Sequence, residues 1–258
     1  MQFIDTHAHL YLDKFEADID QVISNAIENG VHKMYLPNID SHTIESMKQL
    51  VAKYPDNCYP MIGLHPSDVK ENFEEELAII KKEAETNKYI AIGEIGIDLY
   101  WDQTFLKQQQ DAFAFQIELA KTHGLPIAIH ARDSFDEIFE VLDQHNDDSL
   151  TGVLHCFTGN LDQANRVINY GGFKLGIGGV ATFKNGGLDK VIPHVDLKHL
   201  VLETDAPFLA PTPYRGKRNE SQYIPIIADK VAQMQGIKIE EVAKITTQNA
   251  LSLFPLGQ

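Results

Sequence analysis

Apolar positions along the chain fall into two alternating textures. Short runs of four to six residues, several of them apolar almost continuously, lie at 3–6, 33–37, 59–64, 89–93, 126–129, 151–154, 173–177 and 200–203. Runs of this kind predict strands covered on both faces. Between them, apolar residues recur at helical spacing. The stretch 13–29 carries Phe15, Ile19, Val22, Ile23 and Ile27 and stops at Gly30; 105–123 stops at Gly124. The stretch 134–145 opens on Ser134 with Glu137 three residues on, which predicts a capping box. A last helix is expected at 239–253, packed outside.

Regular alternation of strand and helix implies a parallel sheet. Eight units of about 32 residues each match the βα repeat and predict a (β/α)8 TIM-like barrel. An open doubly wound sheet would carry Gly-x-Gly-x-x-Gly after its first strand, but the turn there reads "THAHLYLD", without a glycine. No linker or low-complexity tract interrupts the pattern, so residues 1–258 are expected to form a single domain.

The strand ends gather unusual chemistry. Of 11 histidines, five fall there: His7 and His9 after the first strand, His65 after the third, His130 after the fifth and His155 after the sixth. Glu94 ends the fourth, and Asp205 follows the eighth. The C-terminal rim of a parallel barrel is where its active site is built. One histidine at a strand end is most simply a packed core residue. Six donors from five strands (His7, His9, Glu94, His130, His155 and Asp205) predict a metal site. Six ligands exceed one tetrahedral ion and suit two divalent cations roughly 3.5–4 Å apart under a bridging carboxylate. Glu94 is the expected bridge, with His7, His9 and Asp205 on one ion and His130 and His155 on the other. Nitrogen-rich ligation favours Zn, Mn, Fe, Co or Ni over Mg, although Mg could serve in an assay.

Composition narrows the setting. Hydrophobic residues make up 43% and charged residues 23%, ordinary for a soluble protein. No apolar run approaches the roughly 20 residues of a membrane span, and the N-terminus has no signal-like segment. Cys58 and Cys156 are the only cysteines, which fits a reducing compartment, so a cytoplasmic monomer is expected. The net charge of −15 excludes broad affinity for nucleic-acid backbones. Four neutral imidazoles and two carboxylates carry −2 and two divalent ions bring +4, so the occupied pocket is near +2 inside a chain of −15. That favours an anionic group taken in at one exposed end over a duplex gripped along its length.

The motifs "DTHAHL", "GLHP", "GEIGID", "IHAR", "HCFTG" and "LETDAPFL", in this order, resemble the TatD family of metal-dependent deoxyribonucleases, within the amidohydrolase-like barrels. The match spans residues 4 to about 220. The resemblance implies a TIM-like barrel, one or two divalent ions and hydrolysis of DNA phosphodiesters, often from the 3′ end. It implies the same six ligands and places His65 near the substrate. Because the family includes members credited with cleaving D-aminoacyl esters of tRNA, it fixes hydrolase more firmly than substrate.

Asp205 is the expected proton acceptor for a metal-activated water, with His65 binding a phosphate oxygen or protonating the leaving group. Arg215, Lys217 and Arg218 in "YRGKRNE" reverse the sign locally and are candidates for phosphate binding, a solvated loop being the alternative. Arg132 is a further candidate, against a salt bridge to Asp133. Tyr100, Trp101 and Phe157 are weighed as stacking partners for nucleobases against simple lid packing. Glu203 is expected to support the site from behind and Cys156 to point away from it. His123 and His145 suit helix C-termini, and Gly176, Gly178 and Gly179 either cradle a phosphate or give clearance. DNA ends are the expected substrate. An esterase or amidase such as a D-aminoacyl-tRNA deacylase is the alternative. A metal protein without turnover is disfavoured, because structural sites are closed and four-coordinate.

Overall fold

Eight strands run in chain order around the molecule: β1 (Phe3–Asp5), β2 (Val31–Leu36), β3 (Cys58–Pro60), β4 (Ile92–Asp98), β5 (Ile127–Arg132), β6 (Gly152–Leu154), β7 (Phe173–Ile177) and β8 (Leu200–Leu202). The structure is a computed structural model and describes residues 1–256. Every ladder is parallel, in a three-stranded sheet β1-β2-β3 and a five-stranded sheet β4-β5-β6-β7-β8. Two seams join them into a barrel. At one, Ile62 bridges to Ile92, with Gly93 N donating to Ile62 O at 2.8 Å. At the other, Ala8 bridges to Ala206, and Thr6 N donates to Leu202 O at 3.0 Å. The expected TIM-like barrel is present.

Helices follow the strands: α1 (Ile19–Glu28), α2 (Ile44–Lys53), α3 (Phe73–Thr86), α4 (Leu106–His123), α5 (Phe135–His145), α6 (Leu161–Asn169), α7 (Ile224–Gln235) and α8 (Ile239–Leu253). Gly124 ends α4 in the left-handed region at φ 63°, where a side chain would be strained. None of the described helices is long and apolar enough to cross a membrane.

Three local expectations are corrected. The stretch expected as one helix from residue 13 is a 3-10 turn, Asp13–Phe15, followed by α1. Asp18, just before α1, is engaged by Arg218 instead of capping the helix. Ser134 does not form the capping box either. Its hydroxyl donates to Ile97 O at 2.6 Å, tying the α5 entrance to β4. Capping boxes occur instead at Asp40 with Thr43 and at Asn160 with Gln163. The fourth strand runs from Ile92 to Asp98 rather than 89–93, so Glu94 lies inside it, not at its end.

The apolar interior has two parts. The larger lies between strands and helices, where α1, α4, α5 and α7 bury their apolar stripes. The smaller gathers inward positions of the strands, among them Ile4, Tyr35, Ala128, Val153 and Val201, against Ala250 of α8 and Phe254 just beyond it. α8 packs against both β1 and β8, so it floors the barrel at the end opposite the strand C-termini. Phe254 is 2% exposed; burial of such a side chain stabilises by about 1.5–3 kcal/mol.

Candidate metal centre

β4 is buried at all seven positions, including Glu94 and Asp98. An uncompensated carboxylate in such a strand would be costly, and Glu94 is heavily compensated. Its Oε2 lies 3.1 Å from His7 Nε2 and 3.3 Å from His9 Nε2. Its Oε1 lies 2.8 Å from His130 Nδ1, 3.2 Å from His155 Nε2 and 3.4 Å from His65 Nε2. One carboxylate therefore separates two groups of imidazoles. Asp205 Oδ1 stands on the Oε2 side, 3.9 Å from His7 Nε2 and 3.7 Å from His9 Nε2. All six expected donors converge, and His65 joins them more closely than the sequence suggested.

The segment carrying His7 and His9 is fixed by a buried carboxylate that sequence reading passed over. Asp5 accepts from His7 N at 3.3 Å, Thr204 N at 2.9 Å, Thr204 Oγ1 at 2.6 Å and Ser221 Oγ at 2.7 Å. This stitches β1 to the loop after β8, so His7, His9 and Asp205 keep one geometry. Even with those bonds, burial pushes the Asp5 carboxyl up to about 7.

Outer partners set the tautomers of the rings. Tyr11 OH donates to Pro37 O at 2.6 Å, so it accepts from His9 Nδ1 at 3.0 Å. The Nε2 of neutral His9 is then a bare lone pair facing Glu94. His155 Nδ1 is 3.1 Å from Glu203 Oε1, so the neutral ring again turns its Nε2 lone pair to a carboxylate oxygen. With the rings neutral, two acceptors face each other in both places, which calls for a cation between them: a metal ion or, at His155, a retained proton. His65 differs. Its Nδ1 lies 3.1 Å from Ser67 N and 2.7 Å from Ser67 Oγ, and its Nε2 faces inward, 3.4 Å from Glu94 Oε1. His130 has a carboxylate at each nitrogen, Glu94 at Nδ1 and Asp98 at Nε2, the latter at 2.9 Å.

The charges follow from this arrangement. Burial raises the Glu94 carboxyl, but His7, His155 and His65 outweigh it and hold it well below the ordinary value. Burial pushes Asp205 up to about 6, opposed by His155 and His9. Burial disfavours the His155 cation, yet Glu94 and Glu203 raise its pKa well above the usual imidazole range. His130 is raised in the same way, with Asp98 and Glu94 outweighing burial. His7 is driven well below its ordinary value by burial and by His155, whose ring stacks on it at 3.6 Å.

The donor set fits a metal. His7 Nε2, His9 Nε2 and Glu94 Oε2 are 3.1–3.3 Å apart. Ligands about 2.0–2.1 Å from a tetrahedral ion stand about 3.3–3.4 Å from one another. His65, Glu94 and His130 form a second group, with Glu94 Oε1 3.4 Å from His65 Nε2 and 2.8 Å from His130 Nδ1. The carboxylates behind His155 and His130 are the outer-shell partners that metal-bound imidazoles require.

The remaining candidates divide. Arg132, at the end of β5, lines the same cavity of about 650 Å³ as His9, Glu94 and Asp205. Its guanidinium stacks 3.7 Å above the Tyr100 ring and makes no ion pair with Asp133 or any other described acid. Arg218 is tied down away from the cavity: its guanidinium reaches Asp18 Oδ1 at 2.8 Å, Asp18 Oδ2 at 2.7 Å and Glu220 Oε1 at 2.9 Å, so it braces a loop. Arg215 stacks on Phe183 at 3.8 Å and does not line the cavity. Phe157 is fully buried and unavailable for stacking, whereas Trp101 is 78% exposed and lines the cavity. Cys156 does not point away: it follows β6 with φ 45° and lines the cavity wall. The glycines in and just after β7 give clearance, since a Cβ on Gly176 would lie 2.2 Å from Glu203 Oε2 and one on Gly179 2.1 Å from Leu209 O. His123 and His145 end α4 and α5 as expected.

Sequence reasoning missed Asp98 and Tyr11. Asp98 had a signal, because positions 94, 96 and 98 of one strand share a face. Tyr11 lies past the end of β1, where strand alternation says nothing.

Comparison with known proteins agrees. The chain is 39% identical over 254 residues to YabD of Bacillus subtilis strain 168, an uncharacterized metal-dependent hydrolase, covering 98% of this chain and 99% of that one. It is 30% identical over 258 residues to YcfH of Escherichia coli strain K12, described in the same words, covering 98% and 96%. The crystal structure of YjjV, a TatD homologue from Escherichia coli K12, superposes with a TM-score of 0.92 at 30% identity over 98% of this chain and 97% of that one. Barrel, donor cluster and relatives together define a metal-dependent hydrolase. A family model described as TatD related DNase matches residues 4–255. The chain belongs to the TatD family.

Proposed function

We propose that this chain hydrolyses phosphodiester bonds of DNA from an exposed end, as a 3′ exonuclease, with two divalent cations divided by Glu94. The observation that carries this reading is the carboxylate with one oxygen facing each imidazole group, in a cavity where an arginine waits without an acidic partner. His7, His9 and Asp205 would hold one cation and His130 and His155 the other. When bound, the cations supply Lewis acidity and lower the pKa of water.

The chain's own groups do the rest. Asp205 turns Oδ1 to the His7 and His9 nitrogens, which leaves its other carboxylate oxygen to take up a proton from water in the cavity. His65 turns Nε2 to the cavity and would meet a phosphate oxygen or the departing oxygen through that nitrogen. Arg132 offers the edge of its guanidinium to a second phosphate oxygen, with its face held by Tyr100. Long duplexes are repelled by the −15 chain, which confines attack to an end that can enter the cavity.

Metal-loaded protein is offered 3′-labelled single-stranded DNA, double-stranded DNA and D-aminoacyl-tRNA in parallel, with and without chelator. Chelator-sensitive release of mononucleotides from single-stranded DNA is expected. Hydrolysis of the tRNA ester with DNA left intact overturns the proposal. Asp205→Asn with full metal content and undiminished turnover overturns the proton-acceptor role.

A further inference from the structure

Trp101 is the only tryptophan of the chain and its most exposed large apolar residue, at 78%. Exposure of an indole costs about 1.5–3 kcal/mol of forgone burial, and here the indole borders the donor cavity. Its surroundings are built. Asp98, the last residue of β4, bonds His130 through Oδ2 and accepts from Tyr100 N at 3.0 Å through Oδ1. The residue that orients a donor imidazole thus also anchors the loop carrying the aromatic pair. Tyr100 and Trp101 meet edge to face, with centroids 4.6 Å apart at 90°. Arg132 covers the Tyr100 ring and lies 5.7 Å from the indole centroid. Tyr100 is braced on both sides, while the indole is left largely bare. Phe208 and Leu209, 43% and 42% exposed, line the same cavity from the loop after β8. β4 and β8 are four places apart in a ring of eight, so apolar surface stands on opposite sides of the mouth.

We infer that Trp101 is a specificity-determining residue that stacks on an unpaired nucleobase at the end of a single-stranded nucleic acid, beside a phosphate held by Arg132. The inference rests on the phosphodiesterase reading and adds to it the residue that recognises an unpaired end. Stacking is uncharged and indifferent to sequence, and supplies about 1–3 kcal/mol per base. It gives an acidic protein a grip on DNA that the backbone charge opposes. A base paired within a duplex has both faces covered by its neighbours and cannot use the platform.

The test reads the tryptophan itself. Metal-loaded protein is titrated with a phosphorothioate-linked thymidine oligonucleotide, which resists cleavage, and with its counterpart lacking the 3′-terminal base. Trp101 emission is expected to be quenched by the first and not the second, with the first bound about five- to 150-fold more tightly. Trp101→Ala is expected to bind both alike, and Trp101→Phe to recover part of the preference. Trp101 is exposed, so neither variant disturbs folding. Equal quenching and affinity for the two oligonucleotides, with unmodified DNA still cleaved, overturns the stacking role and leaves the phosphodiesterase standing. Failure of the wild-type protein to bind or cleave any of them overturns both.

Discussion

Tyr11 and Tyr35 each bury a phenol, and replacing either with phenylalanine deletes one oxygen with opposite expected results. The Tyr11 hydroxyl links His9 Nδ1 at 3.0 Å to Pro37 O at 2.6 Å. In Tyr11→Phe a buried N–H and a buried carbonyl lose their partner, at about 1–3 kcal/mol each. His9 also loses the bond that keeps its Nε2 lone pair turned inward. Loss of such an outer partner weakens metal binding about 10–100-fold, or about 1.4–2.7 kcal/mol. The Tyr35 hydroxyl is buried in the barrel floor with no partner. Tyr35→Phe removes an unmet desolvation cost, so stability holds or rises by up to about 1–3 kcal/mol. For a domain of this size about 1 kcal/mol shifts Tm by about 2–4 °C. Chelator-stripped proteins are melted, then titrated calorimetrically with zinc or manganese. Tyr11→Phe is expected to melt lower and bind metal more weakly, and Tyr35→Phe to melt no lower and bind as wild type does. Wild-type metal affinity in Tyr11→Phe, or equal weakening in both variants, refutes the tautomer argument.

Three further outcomes follow from the coordinates. Gly176→Ala places a Cβ against Glu203 Oε2 and displaces the carboxylate behind His155; metal affinity is expected to fall about 10–100-fold with the circular dichroism spectrum unchanged. Phe254→Ala empties the barrel floor and is expected to cost about 3–5 kcal/mol in urea unfolding, and a loss below about 1 kcal/mol would contradict the packing. Glu83 accepts from Lys48 Nζ at 2.9 Å and Tyr89 OH at 2.8 Å, and these bonds outweigh partial burial to lower its pKa from 4.5. A carboxyl depressed in the folded state contributes stability above its unfolded pKa and loses it as pH falls. The wild type should therefore exceed Glu83→Gln by up to about 1 kcal/mol at neutral pH, and the gap should close below pH 4.5; a gap that widens in acid would refute it.

The barrel was legible because strands buried on both faces write themselves as unbroken apolar runs, and the donor set because histidines are conspicuous at their ends. The error in β4 has the same root. Its sequence, IGEIGID, mixes two glycines and two acids into a fully buried strand, so apolarity marked its beginning and missed its body. Phe157, Arg215 and Arg218 were placed by residue type near the site, and only tertiary contacts decide what occupies them: Phe157 goes to the core, and the arginines go to Phe183, Asp18 and Glu220. Tyr11 acts through its bond to Pro37 and Asp5 through its bonds to Thr204 and Ser221, contacts distant in sequence that leave no periodic trace.

The floor of the barrel makes the protein indivisible. Asp5 and Ala8 near the start are clasped to Thr204 and Ala206, and the space beneath the first strand is filled by Phe254. A fragment ending short of α8 contains the strands that close the ring at Ala206 but lacks the Ala250 and Phe254 that stopper it. During synthesis the early strands must therefore wait with their inward residues uncovered until the last helix leaves the ribosome.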